Sequence, residues 1–85
     1  MDVAEAFGAN LKRLRDERGE SQESLSAKSD LHRTVISQIE GGRSEAKAST
    51  ILKLSGALEV DPGELFAGMR WRPPTTTPGG YELPN

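Results

Sequence analysis

The stretch SQESLSAKSDLHRTVISQIEGG, Ser21 to Gly42, decides how this chain folds. It opens on Ser21, a residue suited to an N-cap, with Ser24 in the position where a capping box takes Glu. Leu25 is the clearest apolar position of the short helix after it, which ends about Ser29-Asp30. A second short helix starts at His32 or Arg33 and runs to Glu40, where Gly41-Gly42 stops it. Its apolar positions are Val35, Ile36 and Ile39. Arg33, Thr34, Ser37 and Gln38 occupy other faces. Two short helices joined by about three residues form a helix-turn-helix pattern.

The flanks extend this pattern in both directions. Upstream, Val3, Phe7, Leu11 and Leu14 recur at three- and four-residue steps, so one apolar stripe runs along a helix from about Val3 to Arg18. Gly19 is placed to cap its end. Downstream, Ile51, Leu54 and Leu58, with Leu52 and Ala57 alongside, mark a fourth helix over about Ala48 to Leu58. Gly56 lies inside it at a cost of about 1 kcal/mol relative to Ala. Asp61-Pro62-Gly63-Glu64 reads as a helix start, with an acidic N-cap, Pro at the first position and Glu at the third. Leu65 and Phe66 would then close the core. The expected fold is therefore all-α: a compact domain of five helices over residues 1–68.

Composition changes near Met69. Four of the five prolines lie beyond it, in a Pro/Thr/Gly-rich tail over residues 69–85 that cannot be helical and is expected to be extended or partly disordered. With 85 residues the chain suits one domain, and modest burial makes dimerisation a natural source of stability. It has no cysteine, which removes disulfides, thiolate metal sites and thiol nucleophiles. His32 is the only histidine, too little for a metal site. With no phosphate loop and no paired-carboxylate motif, neither catalysis nor a cofactor is expected. Apolar runs are too short to span a membrane, and the N-terminus has no signal-peptide pattern. The expectation is a soluble, cytoplasmic protein.

The ordered set Leu14-Arg15, Gly19-Glu20-Ser21-Gln22, Leu25, Ile36-Ser37-Gln38-Ile39-Glu40-Gly41-Gly42-Arg43, Ile51, Leu54, Leu58, Val60 and Leu65-Phe66 resembles the lambda-repressor/Cro-like family of regulators, also called the xenobiotic-response-element family. Each element alone is weak, but together they run in one gap-free register from Leu11 to Phe66. Leu31-His32-Arg33-Thr34 ahead of Ile36-Ser37 is also similar to the controller proteins of restriction–modification systems. The resemblance implies a sequence-specific regulator that binds double-stranded DNA, as a homodimer on a roughly palindromic operator.

The residues themselves suit that chemistry. A recognition helix must bury one face and offer another to the major groove, where base edges carry a distinguishable donor–acceptor code. Arg33, Thr34, Ser37 and Gln38 supply the polar face. Arg can bind guanine and Gln adenine, each through two hydrogen bonds. The resemblance assigns base contact to the positions of Arg33, Thr34 and Gln38. It also implies backbone contacts from Ser21, Gln22, Arg15, Arg43 and Lys47, with Arg13, Lys28 and Lys53 as weaker candidates. Arg15 and Glu40 are implied to form an ion pair between the first helix and the end of the recognition helix.

Several positions depart from the family pattern. Asp30 stands where the turn often has Gly, Ser26 where a small Ala packs, Ser29 where an apolar residue is usual, and Ala46 where Pro is frequent. Formal net charge is −2. Around the third helix, Arg33, Arg43, Lys47 and Lys53 exceed Asp30, Glu40 and Glu45 by one charge, so the basic patch is thin and binding should be salt-sensitive. Leu65, Phe66, Met69 and Trp71 form the expected dimer or tail surface. The same domain with a partner-binding tail would suit an antitoxin or a protein-binding module, and the tail leaves that alternative open.

Overall fold

The computed structural model describes residues 1–75 and 78–84. Four α-helices, α1 (Val3–Glu17), α2 (Gln22–Ser29), α3 (Arg33–Glu40) and α4 (Ala48–Leu58), precede a 3-10 helix (Pro62–Phe66) and two short strands, β1 (Arg70–Trp71) and β2 (Tyr81–Glu82). Among the described residues, no helix is long and apolar enough to cross a membrane.

Capping chemistry accounts for the starts of the first two helices. Asp2 accepts the Glu5 N–H at 2.8 Å while the Glu5 carboxylate accepts the Asp2 N–H at 3.0 Å, a reciprocal box at the head of α1. Ser21 and Ser24 do the same for α2, so Ser serves in the position that usually takes Glu. Asp30 closes α2 in the left-handed region (φ 57°), which Asp tolerates better than most residues. The chain then needs only Leu31 and His32 to start α3. Ser26 donates its hydroxyl to the Leu31 carbonyl across this turn, so a polar group in a packing position has a partner there.

One core serves all the helices: Phe7, Leu11 and Leu14 from α1, Leu25, Ile36 and Ile39 from the helix-turn-helix, Leu54 and Leu58 from α4, and Leu65 from the 3-10 helix. Val35 and Leu52, read as apolar positions of their helices, are exposed instead. Two polar ties hold the periphery. Asn10 donates to the Leu65 and Ala67 carbonyls at 2.9 and 3.0 Å, and Arg18 donates through Nε to the Leu58 carbonyl at 2.6 Å, at the end of α4.

The segment expected as a fifth α-helix is the five-residue 3-10 helix instead. Gly63 favours no helix, and straight after Phe66 the chain leaves helical geometry at Ala67 (ψ 133°) and turns through Gly68 at φ 84°. Asp61 makes no side-chain cap. Its carbonyl accepts the Glu64 N–H at 3.0 Å, in the three-residue step of a 3-10 turn. The tail also corrects the all-α expectation. β1 and β2 pair antiparallel, Arg70 opposite Glu82 and Trp71 opposite Tyr81, forming a hairpin. The expectation of an extended or disordered tail at Thr76, Thr77 and Asn85 lies outside the described residues.

Gly8 determines how closely α3 approaches α1. A Cβ built there would lie 2.1 Å from the Ile39 carbonyl oxygen and 2.9 Å from that of Glu40, so only glycine allows the end of α3 to rest on the α1 backbone. Gly8→Ala should lower unfolding free energy by about 1–3 kcal/mol despite the better helix propensity of Ala. Urea denaturation followed by far-ultraviolet circular dichroism measures this, and unchanged stability would show that the α1–α3 contact yields freely.

Candidate nucleic-acid interface

Burial of Ile36 and Ile39 fixes the rotation of α3 and so decides which side chains face outward. Arg33, Thr34 and Gln38 are exposed and Ser37 is half-buried. Together with Arg43 they line one shallow groove along the helix. Arg43 reaches back so that Nη2 donates to the Ser37 carbonyl at 3.4 Å, which places its guanidinium beside the end of α3. Arg33, Thr34 and Gln38 make no side-chain hydrogen bond among the described residues. Their donors and acceptors therefore remain available to a partner.

Lys47 lies apart from this group. It is the N-cap residue of α4 and borders a second groove with Val35, Gln38, Ile39, Ala46 and Thr50, whose wall is partly apolar. Glu45 also lines that groove and dilutes its positive charge. His32 occupies the N-cap of α3 without a side-chain cap, and its ring is solvent-exposed.

Behind the outward face lies a buried polar junction. Arg15 grips Glu40 with both ends of its guanidinium, Nε to Oε2 at 2.7 Å and Nη2 to Oε1 at 3.0 Å. The Arg15 side chain is 11% exposed and that of Glu40 only 5%. Nη1 donates to the Glu20 carbonyl at 2.7 Å and lies 3.3 Å from the Asp16 carboxylate. The hydrogen bond to Glu40 and its charge hold the Arg15 proton more firmly than usual, against the opposing effect of burial. All three nitrogens of Arg15 are thus engaged within the chain. Gln22 joins the junction, its amide donating to Glu40 Oε1 at 3.2 Å. The Ser21 hydroxyl accepts the Ser24 N–H and so is occupied in capping α2.

The groups expected at a dimer surface separate. Leu65 is fully buried within the domain core and cannot belong to an interface, because its position closes the bundle from inside. Phe66 is partly exposed, with its ring edge-on to Phe7 at 5.2 Å between centroids. Met69 packs at the margin of the core. Trp71 stands clear of it.

Sequence reasoning passed over Gly8, Asn10 and Arg18. Gly8 had a readable signal, since glycine between the core positions Phe7 and Leu11 costs helix stability and so implies close packing. Asn10 and Arg18 gave none, because their partners are carbonyls distant in sequence.

Comparison with known proteins places these features in a family. The helix-turn-helix family matches residues 11–65. The chain is 40% identical over 67 residues to control protein C.MunI from a Mycoplasma species, covering 78% of this chain and 90% of that protein. It is 42% identical over 61 residues to control protein C.BamHI from Bacillus amyloliquefaciens, covering 71% and 75%. The crystal structure of the restriction–modification controller protein C.AhdI from Aeromonas hydrophila superposes with a TM-score of 0.72 at 40% identity, covering 74% of this chain and 96% of that one.

The polar junction generates two expected outcomes. Glu40→Ala leaves Arg15 without its main counter-charge and should cost about 3 kcal/mol; Glu40→Gln, which keeps an acceptor, should cost less. Thermal unfolding of both variants measures the difference, and equal small losses would mean that the pair carries little energy. The second outcome concerns acid. Lys28 and then Ser24 hold the Glu20 carboxyl below its usual range, and Lys12 does the same for Asp16. A lowered folded-state pKa adds stability that is present above the unfolded value, about 4 for these groups, and lost as pH falls through the folded one. Stability should therefore fall on acidification below about pH 4. Lys28→Ala should flatten that limb, and so should added salt, because the partner lysines of both carboxylates are exposed. An acid limb unchanged in Lys28→Ala would remove Glu20 from the account.

Proposed function

This chain belongs to the helix-turn-helix family, and we propose on that footing that it is a sequence-specific regulator of transcription that binds double-stranded DNA through α3. The observation that carries this reading is the groove lined by Arg33, Thr34, Ser37, Gln38 and Arg43, in which the polar face of α3 is turned outward with its side chains uncommitted. Arg33 and Gln38 are the direct readers, with Thr34 and Ser37 between them. Arg and Gln match the edges of guanine and adenine through paired hydrogen bonds. Arg43 and Lys47 hold the phosphate backbone from the loop and from the head of α4. Ser21 and Gln22 approach it at the N-terminus of α2, where free amides suit phosphate oxygens. Arg15 acts from behind, aligning α3 through Glu40, and any phosphate contact of its own is secondary.

On the same footing the chain acts as a cytoplasmic homodimer on two half-sites about one helical turn apart, with Phe66 and Met69 on the dimer side. Control of a restriction–modification operon is the role we assign, supported by the named relatives being control proteins. Residues 1–68 act as the DNA-binding domain. No catalytic step or cofactor enters this reading.

Fluorescence anisotropy with a labelled duplex from the region upstream of the chain's own gene, against a random duplex at two salt concentrations, tests it. Arg33→Ala and Gln38→Ala should each remove about 1–3 kcal/mol of preference for the upstream duplex. Arg43→Ala should weaken both duplexes alike and reduce the salt slope by about one. Wild type binding both duplexes equally, with Arg33→Ala no worse, would overturn direct readout by α3.

A further inference from the structure

Val35 is the apolar exception on the outward side of α3. It is 38% exposed and belongs neither to the core nor to the apolar residues packed against it. Val also forms helix less readily than Ala, so neither packing nor propensity accounts for it fully. Its place on the helix supplies a reason. Val35 stands in the first turn, its N–H donating to the His32 carbonyl at 3.0 Å, and a recognition helix reads base edges from that end. Gln38 follows three residues later, so the two side chains are neighbours on the helix surface. Gln38 lines both grooves, one with Arg33, Thr34 and Ser37 and the other with Val35, Ala46 and Lys47. A duplex laid along the first groove therefore reaches the second. There the charges of Lys47 and Glu45 oppose each other, and Val35 with Leu31, Ile39 and Ala46 supplies an apolar side.

We infer that Val35 is a further specificity-determining residue, packing on the methyl group of the thymine that pairs with the adenine bound by Gln38. The inference rests on the reading of α3 as the DNA-binding helix and adds a second base to what that helix reads. Chemistry selects thymine. It is the base that shows a methyl group in the major groove, where the others show the donors and acceptors that an isopropyl group cannot satisfy. Pairing selects which thymine. An adenine held at N6 and N7 by the Gln38 amide has thymine as its partner, whose methyl lies on the same groove edge beyond O4. Val35 and Gln38 thus read the two bases of one A·T pair, the amide by hydrogen bonds and the isopropyl group by contact. A G·C pair in its place offers the cytosine amino group and leaves Val35 without a methyl to cover.

Fluorescence anisotropy of the full chain compares the upstream duplex with copies carrying single replacements. Deoxyuridine in place of thymine removes the methyl group, and 7-deazaadenine in place of adenine removes N7. Wild type should lose about fourfold in affinity at one thymine, the worth of one buried methyl group, and the adenine paired with that thymine should be sensitive too. Val35→Ala keeps the helix, because Ala is the better helix former. It should bind the unmodified duplex more weakly, lose nothing further on the deoxyuridine copies and stay sensitive at the adenine. Wild type that prefers the upstream duplex to a random one yet ignores every deoxyuridine overturns the Val35 contact and leaves α3 as the reading helix. Val35→Ala that keeps the wild-type deoxyuridine loss overturns it equally, by assigning the methyl to another residue. A sensitive thymine whose partner adenine tolerates 7-deazaadenine overturns the shared pair. Wild type with no preference over random DNA overturns this contact together with the reading it rests on.

Discussion

A carboxylate nearly sealed from solvent must be neutralised, and in this chain that constraint falls on Glu40. It is the last residue of α3, and its counter-charge comes from Arg15 on α1, twenty-five positions earlier. Gln22 at the first turn of α2 shares the same carboxylate. Three helices thus converge on one group, and the orientation of α3 relative to the rest is set by that convergence. Hydrophobic contact through Ile36 and Ile39 brings α3 to the bundle without specifying direction. The guanidinium fork does specify it, since its planar geometry is satisfied only when Glu40 sits squarely opposite. Gly8 completes the constraint by letting the α3 terminus descend onto α1.

Much of this was legible in the residues. The spacing of Phe7, Leu11 and Leu14 and of Ile36 and Ile39 marks faces that are buried in the structure, because a 3.6-residue period leaves few ways to cover an apolar stripe. Ser24 as the second half of a capping box was readable from side-chain chemistry, and the left-handed turn at Asp30 from its standing where the family pattern often has Gly. Val35 and Leu52 were not. An apolar residue on a short helix satisfies the pattern whether or not a neighbour covers it, and here Val35 is covered only in part and Leu52 little.

The segment after Asp61 shows the limit of local signals. Its start has every mark of an α-helix, yet helix length depends equally on the residues at the far end, and here the chain turns away through Ala67 and Gly68 after five residues. The tail shows another limit. Prolines rule out helix at residues 73, 74 and 78, but they do not exclude strands in the short segments on either side. Gly79 at φ 68° helps the chain turn back so that Arg70–Trp71 meets Tyr81–Glu82. Non-local pairing of two-residue strands leaves almost no trace in a sequence. For the interface, residue types and spacing identified the outward face of α3, while the packing behind it became visible only in three dimensions.

The division of labour along α3 has an evolutionary consequence. Ile36, Ile39 and Glu40 hold the fold, whereas the side chains of Arg33, Thr34 and Gln38 make no hydrogen bond or ion pair among the described residues. Substitution at those three positions leaves the core and its polar junction intact, so, on the proposed reading of α3 as the DNA-binding helix, the protein can drift toward a new target with little change in foldability. A lineage of such chains could diversify its targets through a few surface codons, while the residues that aim the helix stay under constant purifying pressure. Specificity is the inexpensive variable in this architecture, and orientation is the costly one.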